Sequence, residues 1–169
     1  LTAWIKNKKE SNSAGNDLWD MIFCTGTRHG WSGLCLSTFS GQIRFDVGNA
    51  NNDIAYFSIN SLKRFDDDKW HLVAISFNSE KKYIKMYVDG ELQKIEKKYG
   101  LNGGIDNNQT SLLFENNNSF NLNSYGQIYS GIDAGIGHFI YPVGVYDGVY
   151  IGYDGLIDQI RLYNGAFDN

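Results

Sequence analysis

At 169 residues the chain has the length of one domain with a real core, and an aromatic content of 15% supplies the large side chains to fill it. A formal charge of −4 gives no positive field that would gather phosphates, so nucleic acid is not an expected partner. No stretch approaches the roughly 20 apolar residues a membrane-crossing helix needs, and the opening "LTAWIKNKK" is neither a signal peptide nor led by methionine, so the chain reads as a single domain cut from a larger protein.

One proline, nineteen glycines, many asparagines and no long apolar run at helical spacing predict strands joined by polar turns. The first strand falls within residues 1–7. The next two, near 20–26 and 34–39, flank "TGTRHGWSGL", with Cys24 and Cys35 on either side. If that segment is a hairpin the cysteines lie nearly opposite each other and a disulfide is possible, but two small buried side chains are the better reading, because directly opposed strand pairs rarely meet the dihedral that bond requires. Their usage leaves the compartment open.

"GQIRFDVGN" alternates cleanly: Ile43, Phe45 and Val47 face one way, and Gln42, Arg44 and Asp46 the other. The pattern predicts a strand with one buried and one wet face. Another strand is expected near 53–59. The acidic "FDDDKW" reads as a solvated turn at Asp66, Asp67 and Asp68. In "WHLVAISF" both alternating sets are mainly apolar, which predicts a central strand covered on both sides, with His71 packed beside Val73, Ile75 and Phe77. In "KYIKMYVDG" Ile84, Met86 and Val88 form the apolar set. The pair Asp89-Gly90 suits a type I′ turn, and "ELQKIEK" is expected to return as the third strand of a meander. Strands near 111–115 and 155–163 complete the set. Short strands in such number bury their apolar faces only by stacking two sheets, so the expected fold is an all-β, two-sheet antiparallel sandwich.

One region breaks this economy. Residues 116–153 form a long insertion rich in glycine, with tyrosines at 125, 129, 141, 146, 150 and 153. Long irregular segments are usually functional, and these tyrosines and isoleucines favour an ordered one.

Three stretches carry a resemblance: "LTAWIKNK", "KWHLVAISFNSEKKYIKMYVDGEL" and "YDGLIDQIRLYNGAF". Together they resemble the laminin-G-like, concanavalin A-like lectin/glucanase superfamily, with its Ser/Thr-x-Trp strand, Trp-His strand, Tyr-Val-Asp-Gly hairpin and closing Gly-x-Ile-Asp-x-(Val/Ile)-Arg strand. The resemblance implies a jelly roll from a secreted or cell-surface multidomain protein, in contact with neighbouring domains and binding glycans or protein partners. It also implies a structural calcium, whose aspartate here would be Asp158; the alternative for Asp158 is a turn hydrogen bond or an arginine partner. Relative to the family, a strand before "LTAWIKNK" is missing, leaving an edge position empty or filled from elsewhere, and the insertion is longer than usual.

The glycosidases of this fold carry Glu-x-Asp-x-x-Glu on one strand to aim two carboxylates at the sugar, and no such run exists here. A non-catalytic carbohydrate-binding module is therefore expected, with an adhesion or structural protein-binding module as the alternative and a divergent glycoside hydrolase as the third reading. The expected ligand kit is aromatic rings plus directed polar groups. Arg28, His29 and Trp31 concentrate these at one hairpin tip, where Trp31 either meets a ligand or folds back over the sheet. Tyr125, Tyr129, His138, Tyr141 and Tyr146 of the insertion are the second set, which either lines a pocket or anchors the loop.

Overall fold

The computed structural model describes residues 1–8, 19–26, 33–48, 56–78, 83–99, 112–113, 134–136, 138–140 and 150–165. Among them every regular element is a strand: β1 (Thr2–Asn7), β2 (Trp19–Gly26), β3 (Gly33–Phe39), β4 (Gln42–Gly48), β5 (Tyr56–Arg64), β6 (Trp70–Asn78), β7 (Tyr83–Val88), β8 (Glu91–Leu92), β9 (Ile95–Tyr99), β10 (Leu112–Leu113), β11 (Ala134–Ile136), β12 (His138–Ile140), β13 (Tyr150–Gly152) and β14 (Gly155–Arg161). Two antiparallel sheets form the body. Sheet A runs β10-β7-β6-β1-β14, with β8 also paired to β7, and sheet B runs β11-β2-β3-β4-β5-β9. β12 and β13 make a separate hairpin.

Turn chemistry sets the registers. Asp89 and Gly90 both take positive φ, 54° and 81°, as a two-residue type I′ turn requires. Ser40 and Gly41 do the same between β3 and β4, at 49° and 76°, although Ser-Gly is a weaker sequence signal than Asp-Gly.

Between the sheets, Ala3, Ile5, Val73, Ile75, Ile84, Met86 and Val88 of sheet A meet Ile22, Phe23, Leu36, Ile43, Phe45, Ile59 and Ile95 of sheet B. Each fully buried Ile, Phe or Met contributes about 1.5–3 kcal/mol relative to exposure. The alternation in "IRF" and "IKMYV" thus selects the inner face as expected.

Four expectations are corrected. The meander is incomplete: β8 stays with β7 for two residues, then the chain leaves sheet A at Gln93 and Lys94 and enters sheet B as β9 beside β5. Gln93 is buried at this crossing, its amide donating to the Met86 carbonyl at 2.8 Å and its side chain to the Glu91 carbonyl at 2.9 Å. These bonds satisfy the backbone at the crossing, and Ile95 gains a place in the core. Second, the polar face of β4 is not wet, since Arg44 and Asp46 are only 3% and 6% exposed. Third, the outer set of β6 is covered only in part: His71, Val73 and Ile75 are buried on the inner side, while on the outer side Trp70 is 44% exposed, Leu72 and Ala74 are half-buried and Ser76 is buried. Fourth, Cys24 and Cys35 are cross-strand partners on β2 and β3 and are joined as a disulfide.

Candidate recognition surface

The outer side of β6 belongs to a face on the outside of sheet A. Antiparallel partners project to the same side, and the registers give three rows across the strands: Leu156, Lys6 and Trp70; Asp158, Trp4 and Leu72; Arg161, Thr2, Ala74, Tyr87 and Leu92. Trp4, Leu72, Ala74 and Tyr87 are half-buried, and Trp70, Leu92 and Leu156 are exposed. Trp4 and Trp70 are diagonal neighbours on adjacent strands. Two indoles and a phenol ring therefore stand on one rigid sheet, with Lys6, Asp158 and Arg161 among them. Lys6 is held by Asp68 at 3.3 Å.

At the β14 edge the ladder is interrupted. Arg161 pairs with Thr2 and Asp158 with Trp4, so one extra residue of β14 is accommodated between them, and Gln159 takes φ 49°. This is a β-bulge, a device that re-aims side chains at sheet edges. It lets Ile157 and Ile160 both pack against the core while Asp158, Gln159 and Arg161 are all exposed. The Arg161 guanidinium donates to Gln159 Oε1 at 3.0 Å. Arg161 and Thr2 also hydrogen-bond the Tyr163 hydroxyl, which holds its pKa below the usual phenol value.

At one end of the sandwich a cleft of about 460 Å³ is lined by Leu1, Phe45, Ile75, Phe77, Leu162 and Tyr163, among others. Phe45 and Ile75 are core residues, so its floor is the end of the core.

Sheet B presents a different outer face. Arg44 grips Asp46 through Nε at 3.0 and 3.1 Å and Nη2 at 2.9 Å, both side chains being buried. Burial pushes the Asp46 carboxyl up, against the pull of Arg44. Ser37 and Asn60 flank Arg44 on the neighbouring strands and are fully buried, and Asn60 Oδ1 has no hydrogen-bond partner. The stripe is polar yet enclosed, which suits a structural lock better than an open ligand site.

His71 is a third polar centre. Its Nδ1 lies 2.7 Å from Asp89 Oδ2 and its Nε2 2.9 Å from Asp67 Oδ1, with the Phe65 ring edge-on at 5.2 Å. Burial opposes the charge on the ring, but the hydrogen bonds to Asp89 and Asp67 outweigh it and raise its pKa. The packing role expected of His71 is thus combined with a two-carboxylate clamp. Asp67, expected as plain turn surface, is one jaw of it.

Of the sequence-predicted site residues, Arg28, His29, Trp31, Tyr125, Tyr129, Tyr141 and Tyr146 lie outside the described residues. His138 is on β12 opposite Gly152. The segments they come from do meet: β11, from the insertion, pairs with β2, Ala134 lying opposite Thr25 near the start of the "TGTRHGWSGL" hairpin. Asp158 is exposed and faces Trp4. Among the described residues no three His, Cys, Asp or Glu side chains gather where they could share an ion.

Trp4 and Trp70 sit in the Thr-x-Trp and Trp-His patterns, which read as fold signals and conceal their place on the outer face. The available clue was a strand apolar on both faces, which is also how a sheet with a binding face looks.

The family model for the concanavalin A-like lectin/glucanases superfamily matches residues 1–128. No curated protein matches the chain.

Proposed function

Since the chain belongs to the concanavalin A-like lectin/glucanases superfamily, we propose that it is a non-catalytic carbohydrate-binding module of an extracellular or cell-surface protein. The observation that carries this reading is the outer face of sheet A, where Trp4 lies opposite Asp158 and shares one surface with Trp70, Tyr87 and Arg161. A flat ring covers the apolar C–H face of a pyranose, and carboxylate and guanidinium groups beside it exchange hydrogen bonds with hydroxyls. Strand-borne side chains hold this geometry with little loss of freedom on binding. Rings borne on three neighbouring strands suit an internal stretch of a glycan chain. Other described aspartates near this face have structural partners: Asp67 and Asp89 hold His71, and Asp68 holds Lys6. A disulfide at Cys24 and Cys35 suits an oxidising compartment.

A protein-binding adhesion module is the second reading, favoured by exposed aliphatic Leu92 and Leu156 at the margins of the same face. A glycan array probed with the labelled chain separates the two. Selective retention on one family of glycans, lost in Trp70→Ser with the melting temperature preserved, supports the carbohydrate reading. Silence across all neutral, acidic and amino sugars at millimolar density overturns it. Release of reducing ends from a retained glycan would instead establish a hydrolase.

A further inference from the structure

We infer that Asp158, Gln159 and Arg161, turned outward together by the β14 bulge, form a hydroxyl-reading subsite beside Trp4 for a neutral pyranose unit. The inference rests on the carbohydrate reading above and specifies where and how the sugar is read.

The backbone comes first. Gln159 is held at φ 49°, a region that side chains other than Gly, Asn and Asp rarely adopt. Strain of this kind at a sheet edge persists when the surrounding structure requires it. Here the packing of Ile157 and Ile160 fixes the bulge from the core side. On the outer side the result is three adjacent polar side chains, where a regular strand would alternate its residues between the two faces.

The chemistry follows from the partners. Asp158 faces Trp4 across the β1–β14 ladder, so its carboxylate, an acceptor with two oxygens, stands next to the indole. Arg161 is held by Gln159 Oε1 and by the Tyr163 hydroxyl, and these bonds occupy part of its five-donor fork. A sugar stacked on Trp4 would find acceptors on one side and donors on the other, the arrangement that neighbouring hydroxyls require. Asp158 and Arg161 balance in charge and part of the Arg161 fork is already engaged, so a uronic carboxylate placed here would lose hydration without a net electrostatic gain. The subsite therefore favours neutral sugars. Gln159 acts through Arg161 and is a positioning residue.

The test uses calorimetric titration of the whole chain with cellotetraose, β-1,4-mannotetraose, β-1,4-galactotetraose and tetragalacturonic acid. At least one neutral tetraose should bind at least tenfold more tightly than the uronate. Asp158→Asn and Arg161→Lys should each weaken that binding tenfold or more. Gln159→Gly relieves the left-handed strain, so its melting temperature should equal or exceed that of the unaltered chain. Its affinity should nonetheless fall several-fold, and the Arg161 side-chain NMR signals should broaden as the guanidinium loses its anchor. Undiminished neutral binding in Asp158→Asn and Gln159→Gly would overturn the subsite while leaving the carbohydrate reading intact, with the sugar bound elsewhere. Preference for tetragalacturonic acid would overturn the neutral class. Failure of all four tetraoses would overturn the subsite, whereas the broader array decides the carbohydrate reading itself.

Discussion

His71 and Asp89 are joined across the β6–β7 hairpin, Nδ1 to carboxylate at 2.7 Å, and the same carboxylate accepts the Leu72 amide at 2.9 Å. The Asp89 amide in turn donates to the Leu72 carbonyl. The side chain that fits the turn thus also closes the hairpin and holds the imidazole, whose other nitrogen reaches Asp67.

A neutral imidazole has one N–H to donate, but the two carboxylates call for two. The pKa of His71 is therefore raised in the folded chain and that of Asp67 lowered, the latter chiefly by the hydrogen bond from His71. The His71 contribution to stability is fully present below the unfolded histidine value of about 6.5 and is lost as pH rises through the higher folded value. The Asp67 contribution is present above the unfolded aspartate value and lost as pH falls through its lower folded value. Both partner carboxylates are about half exposed, so screening limits the histidine effect to about 1 kcal/mol. Urea denaturation at pH 6 and pH 9 should show it, and His71→Gln should flatten that difference. An unchanged pH dependence in His71→Gln would show that the clamp is not the source.

Breaking the buried pair on β4 should cost much more. Asp46→Ala leaves the Arg44 guanidinium enclosed without its bidentate partner, an arrangement that typically costs about 3–5 kcal/mol. Removing both charges, as in Arg44→Met with Asp46→Leu, should recover much of that loss. Chemical denaturation of Arg44→Met, of Asp46→Leu and of the double completes the cycle; additive losses would mean that the residues do not act as a pair.

Gly155 should tolerate no side chain. A Cβ there would lie 2.3 Å from the Lys6 carbonyl oxygen, a backbone atom fixed in the β1–β14 ladder, and 2.7 Å from the Tyr153 ring. Gly155→Ala is expected to destabilise by about 1–3 kcal/mol or more. At Gly90 the space is open but φ is +81°, so Gly90→Ala should cost about 1–2 kcal/mol through backbone strain alone. Melting curves rank the two.

Trp70 should matter to binding and little to folding. It is partly exposed at the start of β6 and outside the core, so Trp70→Ser should change stability by about 1 kcal/mol or less. Met86→Ala, in the core, should cost about 2–5 kcal/mol. Comparable losses from the two would show that the outer face is packed against something in the folded chain.

The sequence disclosed what depends on local pattern. Alternation of Ile43 with Phe45 and of Ile84 with Met86 and Val88 identified the inner faces, and Asp89-Gly90 identified its turn. It did not disclose what depends on distant partners. Arg44 and Asp46 look like wet-face residues until Ser37 and Asn60 flank them and the face is enclosed. Gln93 and Lys94 carry no break signal strong enough to reveal a change of sheet. The β14 bulge is equally hidden, since "DGLIDQIR" alternates poorly and only the register against Thr2 and Trp4 shows where the additional residue sits. The outer set of β6 is hidden as well, because apolar residues on both sides of a strand read as burial even where one side is partly exposed.

The passage of the chain from β8 to β9 has a mechanical consequence. Within a handful of residues one polypeptide segment is hydrogen-bonded first to β7 in one layer and then to β5 in the other, with Leu62 donating to the Lys94 carbonyl at 3.0 Å across the junction. Separating the layers like the covers of a book would have to unzip ladder bonds at this stitch as well as expose apolar surface. Tension applied along the chain should therefore meet resistance to shear near Gln93, and the sandwich would release its length in one step, not two.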